Sequence, residues 1–467
     1  MCFALYAAVA PALARADEET SKLTAESVAI RAERANVDIS AQRARIESVA
    51  ADLQQALVAL FPRLQVVGRY SRLSPIEMGT IGYAVASPTT PQNPAPVPIA
   101  AGAPLVQAPI RLPYTADQFS LQAALVFPVT DYVFKLFQSH AAARQAHEAS
   151  ELELRATRLR ARLEAKLVYY AWVRAALMRK VVAQSLASSR AHAKDVERGA
   201  GAATASRIDV LRANAQVAQV EQLEGQAKNA ADRLWNELTF LMGGSTEDAP
   251  PAPPEEAAST PAARNASFAS LWEEAKGQRL ELQSAALGVK ALDGVASAAR
   301  AGEYPRIDLQ GELTSANPNA RYIPQEDRWR TTWSLTAQVS WSPNEAFFAA
   351  GTVRAAEAKS AALDADRRRL LAALHREVSE ALESSANADQ ALLTADRRLE
   401  AAEEGYRVRA LLAQTGRSHG SDLADAETDL VRARLEQVSA RIDVKTSRLR
   451  LEHAVGRDKA PASGDAR

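Results

Sequence analysis

The residues through which this chain of 467 could hold a metal or act as a nucleophile are few, and they are scattered. His140, His147, His192, His375, His419 and His453 are dispersed, and even the 140/147 pair lies two helical turns apart, too wide for one metal on a single helix. Cys2 is the single cysteine, which excludes an internal disulfide framework and any Cys-based zinc site. There is no Gly-rich phosphate loop, nucleophile elbow or H-E-x-x-H. Glu255-Glu256 and Glu403-Glu404 read as ordinary solvated or linker carboxylates. The expectation is a protein that is not an enzyme, with no cofactor and no metal site. One acidic pair stands out by its setting: Asp422 and Asp425, three apart and so on one helical face, follow the turn Gln414-Thr415-Gly416-Arg417-Ser418-His419-Gly420-Ser421 between two very long helical runs.

Those runs dominate the chain. Leu370, Leu374, Val378, Ala381, Ser385, Ala388, Leu392, Ala395, Leu399, Ala402 and Tyr406 recur at steps of three and four, the seam of a coiled coil. No proline interrupts residues 344–449, and a helix over 346–414 would be roughly 100 Å long at about 1.5 Å per residue. A second such hairpin is expected earlier. Its first helix runs over about 133–198 with Leu152, Ala156, Leu159, Leu163, Tyr170, Val173 and Leu177 as seam, Gly199-Ala200-Gly201 marks the turn, and a return helix carries Val217, Val220, Ala227, Ala231, Leu234, Leu238 and Leu241 to a glycine cap at Gly243-Gly244.

Before each hairpin the period changes from helix to strand. Leu64, Val66, Gly68 and Tyr70 alternate with Arg63, Gln65, Val67 and Arg69, and Phe119, Leu121, Ala123, Leu125 and Phe127 alternate with Ser120, Gln122, Ala124 and Val126. In the second half Ile307, Leu309, Gly311 and Leu313 alternate with Asp308, Gln310 and Glu312, and Trp333, Leu335, Ala337, Val339 and Trp341 with Ser334, Thr336, Gln338 and Ser340. Residues 74–117, rich in proline, read as a loop, and helices are expected over 20–60 and 268–302.

The halves keep step. Pro128 to Pro343 is 215 residues, Asp209 to Asp422 is 213 and Gly243 to Gly456 is 213, while Pro62 to Pro305 is 243 because the first loop is longer. Such duplication outranks any single motif. It divides the chain into a signal peptide (1–16), a first repeat (17–244; strands about 63–73 and 118–127, hairpin about 130–242), a Pro-rich linker (245–266), a second repeat (267–456; strands about 305–315 and 331–342, hairpin about 344–455) and a disordered tail (457–467). The signal is read from the apolar run of residues 2–10, then Ala14-Arg15-Ala16 and the acidic Asp17-Glu18-Glu19. Cys2 precedes the apolar run and is badly placed for lipid attachment.

Beyond the signal no run approaches the about 18 to 20 apolar residues of a spanning helix, so an integral membrane protein would have to cross by strands. Four strands, each apolar on one face and polar on the other, suit a transmembrane barrel better than a soluble sandwich. Tyr70, Tyr304, Trp333 and Trp341 lie near strand ends, where aromatic belts sit. Four strands cannot close alone, whereas three copies would supply about twelve. The 56 Lys and Arg balance 56 Asp and Glu, interspersed as on solvated helix faces, which gives no case for nucleic acid.

These features together resemble the TolC-like outer-membrane efflux proteins, over essentially the whole sequence after the signal. The specific elements are the helix-to-strand entries Phe61-Pro62-Arg63-Leu64 and Tyr304-Pro305-Arg306-Ile307, the strand-to-helix exits at Pro128 and Pro343, and the turn segments Arg207-Ile208-Asp209-Val210-Leu211-Arg212-Ala213 and Gly416 to Asp422. The resemblance implies a mainly α fold with a β-barrel portion, closing as a homotrimer with a twelve-stranded barrel in the outer-membrane lipid of a Gram-negative bacterium and an α-helical tunnel in the periplasm. It implies a passive exit duct for efflux or type I secretion, coupled to a periplasmic adaptor protein and a proton-driven or ATP-driven inner-membrane pump. Carried over residue by residue, it puts an acidic aperture at Asp422 and Asp425 with Arg417 adjacent, adaptor-docking tips at Gly201, Arg207, Asp209, Val210, Leu211, Gly416 and Ser418, and strand-to-helix hinges at Pro128 and Pro343. The chain departs from the pattern in its longer first turn, eight positions from Gly201 to Asp209 in place of six, and in Ala413 and Ser418, which stand where the family has its gate-locking Tyr and Arg. The rival expectation, a periplasmic adaptor or other coiled-coil scaffold without a pore, calls for one hairpin and a soluble β-domain.

Overall fold

The computed structural model describes residues 23–74, 82–86, 106–110, 115–202, 205–244, 250–252, 267–323, 325–414 and 420–458. The expected signal peptide and most of the expected linker and tail lie outside them, as do Gly416, Arg417 and Ser418. In chain order the elements are α1 (Ala25–Ala35), α2 (Val37–Val58), β1 (Arg63–Arg72), β2 (Gly82–Ala86), β3 (Val106–Ile110), β4 (Asp117–Pro128), α3 (Val129–Asp131) with a π-helical turn at Tyr132–Leu136, α4 (Phe137–Gly201), α5 (Arg207–Leu241), α6 (Phe268–Gln278), α7 (Leu280–Ala299) with a 3-10 turn at Arg300–Glu303, β5 (Arg306–Asn317), β6 (Arg330–Ser340), α8 (Pro343–Gln414) and α9 (Gly420–Val455). The fold is mainly helical with one four-stranded antiparallel sheet.

Contacts divide the chain into two units, each drawn from both repeats: Met1–Ala50, Gln145–Val289 and Ala361–Arg467 form one, Ala51–Arg144 and Lys290–Ser360 the other. The first unit is helical. Its α8 buries or half-buries every seam residue expected of it, with Leu374, Val378, Ala381, Ala388 and Ala395 fully inside. On α4 the buried row is Ala156, Ala161, Ala165, Tyr169, Trp172 and Val173, and the expected Leu152, Leu159, Leu163 and Leu177 are only half-buried, one step round the helix. Alanines recur among the buried positions, where a small side chain lets helices approach closely, beside larger residues such as Val378, Trp172 and Val173. A cluster of Val28, Ala32, Tyr169, Trp172, Trp235, Leu238 and Ile442 fastens α1 to the hairpins, and Leu271, Ala275, Val378, Ala454 and Val455 do the same for α6.

The expected single helices over 20–60 and 268–302 are each broken once. Asn36 interrupts the first because its side-chain oxygen accepts from the Ile39 N–H at 3.1 Å, capping α2. Arg279 interrupts the second with an extended backbone. Both hairpins end on a left-handed glycine, Gly243 (φ 70°) and Gly456 (φ 82°). In each, the next residue's N–H returns to the helix, Gly244 to the Thr239 carbonyl at 3.0 Å and Arg457 to that of Glu452 at 2.8 Å. The glycines are also required for space, since a Cβ would come within 2.9 Å of Ala35 Cβ at Gly243 and 3.1 Å of Gln278 Cβ at Gly456.

In the second unit the sheet order is β1-β4-β5-β6. Register places Leu64 opposite Leu125, Ala123 opposite Leu313, Phe127 opposite Leu309, and Leu313 opposite Trp333. Because side chains alternate faces, this collects every apolar alternation onto one side. Residues 74–117, expected to be loop throughout, contain instead a two-stranded ribbon of β2 and β3, with Pro109 opposite Tyr83. Both strands of a ribbon are edge strands, where a proline is tolerated.

Candidate functional site

Three places carry the candidate function: two hairpin turns in the helical unit and the sheet of the other. At the first turn α4 continues through Gly201 and α5 starts at Arg207, so Gly199-Ala200-Gly201, expected to mark the turn, is still helical. A Cβ on Gly201 would meet open space, and nothing steric demands glycine there. Ser206 begins α5 with a capping box: its hydroxyl accepts from the Asp209 N–H at 3.2 Å, while the Asp209 carboxylate accepts from the Ser206 N–H at 3.0 Å. The turn-family aspartate thus has a local task, fixing the helix start. Arg207 and Leu211 are exposed, with Asp209 and Val210 half-buried. Ile208, absent from the expected tip residues, joins Leu211 as an exposed apolar pair three positions apart.

At the second turn Gly420 is the first helical residue of α9, so Asp422 occupies the same third position as Asp209 in α5. Acid is favoured in a first helical turn by the helix dipole. Asp422 and Asp425 are both exposed, and Asp429 continues their stripe one turn on, 3.7 Å from Arg432. The step of three and four that joins Asp429 to the pair is readable in the sequence.

One carboxylate of α9 lies on the opposite side. Glu427 is 8 % exposed and accepts a hydrogen bond from Ser189 Oγ of α4 at 3.1 Å. Burial pushes its carboxyl above the ordinary value, while Ser189 and the charge of His192 act against that shift. It borders a cleft of about 350 Å³ shared with Ser185, Glu403, Tyr406 and Arg434. Above the turns each hairpin is laced by its own ion pairs and hydrogen bonds: Arg190 to Glu221 at 2.7 Å in the first, and Arg398 to Glu436 at 2.6 Å and Gln437 to Asp396 at 2.7 Å in the second. The hairpins also meet through Val182, Leu186 and Val220 packed with Leu435.

The sheet has two unlike faces. On one, Leu64, Val66, Leu121, Leu125, Leu309, Leu313, Trp333 (74 % exposed), Leu335 and Val339 are all uncovered. On the other, Gln122 donates to Glu312 at 2.5 Å and Thr314 to the same carboxylate at 2.7 Å. Aromatics gather at both ends of the strands. Tyr70 and Phe119 (ring centroids 5.0 Å apart) with Trp329 lie at one end, and Phe127 stacked on Tyr132 at 4.4 Å with Tyr304 on Phe134 at 5.1 Å lie at the other. Trp333 sits within β6 and not at its end, and Trp329 was not among the expected belt residues. Pro128 closes β4 and precedes α3, and Pro343 is the first residue of α8, where its missing N–H costs nothing. The two exits differ by the π-helical turn that follows Pro128 alone.

No helix among the described residues is long and apolar enough to cross a membrane, and no group of three or more His, Cys, Asp or Glu among them is placed to hold a metal ion.

With this geometry in hand, residues 271–457 match the family model described as outer membrane efflux protein. No curated protein matches the sequence. Solved structures that share the fold include the outer-membrane channel OprN (18% identity, TM-score 0.71, covering 94% of this chain and 91% of that one) and the CmeC outer membrane channel of Campylobacter jejuni (14%, 0.72, 94% and 87%). The MtrE outer membrane channel of Neisseria gonorrhoeae is a third (16%, 0.69, 92% and 88%). The architecture is therefore that of outer-membrane channel proteins. The resemblance to the TolC-like efflux proteins holds, carried by the second repeat in sequence and by the whole chain in fold.

Proposed function

We propose that three copies of this chain form a passive exit duct across the outer membrane of a Gram-negative bacterium, coupled through a periplasmic adaptor to an inner-membrane pump. The observation that carries the reading is the sheet. It has one largely apolar uncovered face, with polar pairs only toward one strand end, one hydrogen-bonded polar face, aromatics at both ends and strands of 10 to 12 residues, the dimensions and patterning of a lipid-facing barrel wall. Among the described residues the order β1-β4-β5-β6 leaves one backbone edge of β1 and one of β6 open, and such edges are satisfied by pairing with other copies. A barrel of about eight strands is filled by side chains, whereas about twelve from three chains leave a lumen for the polar face.

The hairpins supply the periplasmic part of this duct. The exposed pair Ile208 and Leu211 with Arg207 gives the first tip an apolar and basic surface for the adaptor, and Asp422 and Asp425 from three copies give a ring of six carboxylates at the aperture. Such a ring favours cations and resists closure by repulsion. Pro128 and Pro343 act as the hinges between strand and helix. Two hairpins per chain, each preceded by two strands of the same sheet, favour this reading over a scaffold with one hairpin and a soluble β-domain.

The test is the state of the protein in outer membranes. Extracted in mild detergent, it is expected to run as a heat-sensitive band of three chains and to give a native mass of three protomers. A soluble periplasmic monomer would overturn the proposal.

A further inference from the structure

We infer that the cleft between α5 and α9, with the buried carboxylate of Glu427 on its wall, is a binding site for a small organic cation with an apolar body. The inference concerns the helical unit alone and does not depend on the channel reading.

Where α9 packs on α4, three polar residues are buried: Ser185, Ser189 and Glu427, at 8 %, 3 % and 8 % exposure. Ser189 Oγ donates to Glu427 Oε1 at 3.1 Å. Glu427 Oε2 and the Ser185 hydroxyl have no hydrogen-bond partner among the described residues, and neither is sealed from solvent. Both residues border two clefts, the one of about 350 Å³ beside Glu403 and a second of about 470 Å³ between α5 and α9.

A carboxylate withdrawn from water is costly unless a cation or several donors hold it. Here the neighbouring charges are engaged elsewhere. Arg434 lies 3.5 Å from Glu403, Arg432 lies 3.7 Å from Asp429, and Glu436 is held by Arg398 at 2.6 Å. His192 acts on Glu427 through its charge without forming an ion pair. Glu427 therefore keeps an open demand for a positive group, and burial pushes its carboxyl above the ordinary value while that demand is unmet.

The second cleft has the makeup to supply such a group. On it α5 places Val220 and Leu223 among four glutamines, and α9 places Val431 and Leu435 beside Glu427. Apolar walls with a few convergent polar atoms bind a ligand's body by burial and its head by charge-assisted hydrogen bonds. The head must donate, since Oε2 accepts only and the Ser185 oxygen can accept; an ammonium, which carries N–H donors and no acceptor, answers both. An anion would be repelled by the same carboxylate, and the described residues bring no group of three His, Cys, Asp or Glu together for a metal ion. The cleft beside Glu403 carries Arg434 on its wall and suits a cation less.

Isothermal titration of the purified full-length protein in mild detergent, with the detergent solution as blank, tests this using benzylammonium and its neutral isostere benzyl alcohol. Benzylammonium should bind the parent about tenfold more tightly than the alcohol, and Glu427→Gln, which removes the charge at constant shape, should abolish that difference. Glu403→Gln, an exposed carboxylate of the other cleft, should leave benzylammonium binding within about threefold of the parent. Leu223→Ala should weaken both probes alike by about threefold or more, because it strips apolar contact from the body and leaves the head untouched. No binding of benzylammonium, equal binding of the two probes to the parent, an unchanged difference in Glu427→Gln, or a larger loss from Glu403→Gln than from Glu427→Gln would overturn the inference, and so would Leu223→Ala leaving both probes unaffected.

Discussion

At the scale of single residues, the carboxylates near the start of α9 divide by burial into two kinds. Asp422 and Asp425 are exposed at the helix start, and in the proposed duct they line its aperture. The Asp422→Ala/Asp425→Ala variant should lose block by divalent cations and part of its cation preference, read from single-channel currents in planar bilayers; unchanged block and selectivity would remove these residues from the gate. Glu427 is the other kind. Burial raises its pKa above the ordinary 4.5, so the folded chain binds its proton more tightly than the unfolded chain does. The resulting stability is fully present below about pH 4.5 and is lost as pH rises through the raised value. Its partners are Ser189 and His192 on α4, with Glu403, Tyr406 and Arg434 around the adjoining cleft. Glu427→Gln should stabilise the protein near neutral pH by about 1 kcal/mol and make no difference near pH 4, as thermal melts at the two pH values would show. An equal effect at both would contradict burial as the cause. The exposed acids were legible from the turn and its spacing, whereas the burial of Glu427 depends on α4, more than 200 residues earlier, and nothing in the local pattern announces it.

At the scale of elements, the sheet yields the sharpest contrast. Leu335 and Thr336 are neighbours in β6 on opposite faces. In a lipid-facing wall Leu335→Arg should cost roughly 2–4 kcal/mol near the bilayer midplane and lower the yield of heat-sensitive oligomer, while Thr336→Arg should be tolerated. Equal yields would argue against lipid on the apolar face. The alternation of these strands was plain in the sequence because one exposed face imposes a strict period of two. The α8 seam was plain for the corresponding reason, a period near 3.5 sustained over many turns. Elsewhere the signals were weaker. On α4 the leucine row and the alanine row are both apolar stripes, and only packing distinguishes the one that faces inward. Asn36 and Arg279 break helices without proline, the first through a side-chain cap that competes with the helix, the second two residues after Gly277 and with its guanidinium held by Glu281, Glu377 and the His453 carbonyl. In 74–117 the density of proline concealed β2 and β3, since a ribbon of two edge strands tolerates what a central strand does not.

At the scale of the whole molecule, the duplicated order accounts for two hairpins and for the four strands of the one large sheet, and in the proposed trimer four strands per chain suffice. Lys and Arg balance Asp and Glu, so net charge drives none of this; in the proposed duct the recognition surfaces are local, at the turns, the strand edges and the apolar wall. The central claim is that copies of the chain close around a water-filled pore. Recording from the purified oligomer in planar lipid bilayers tests it most directly. The account predicts discrete conductance steps that carry cations more readily than anions and that disappear when the sample is heated to single chains before addition. Bilayers that remain electrically silent with intact oligomer inserted would contradict it.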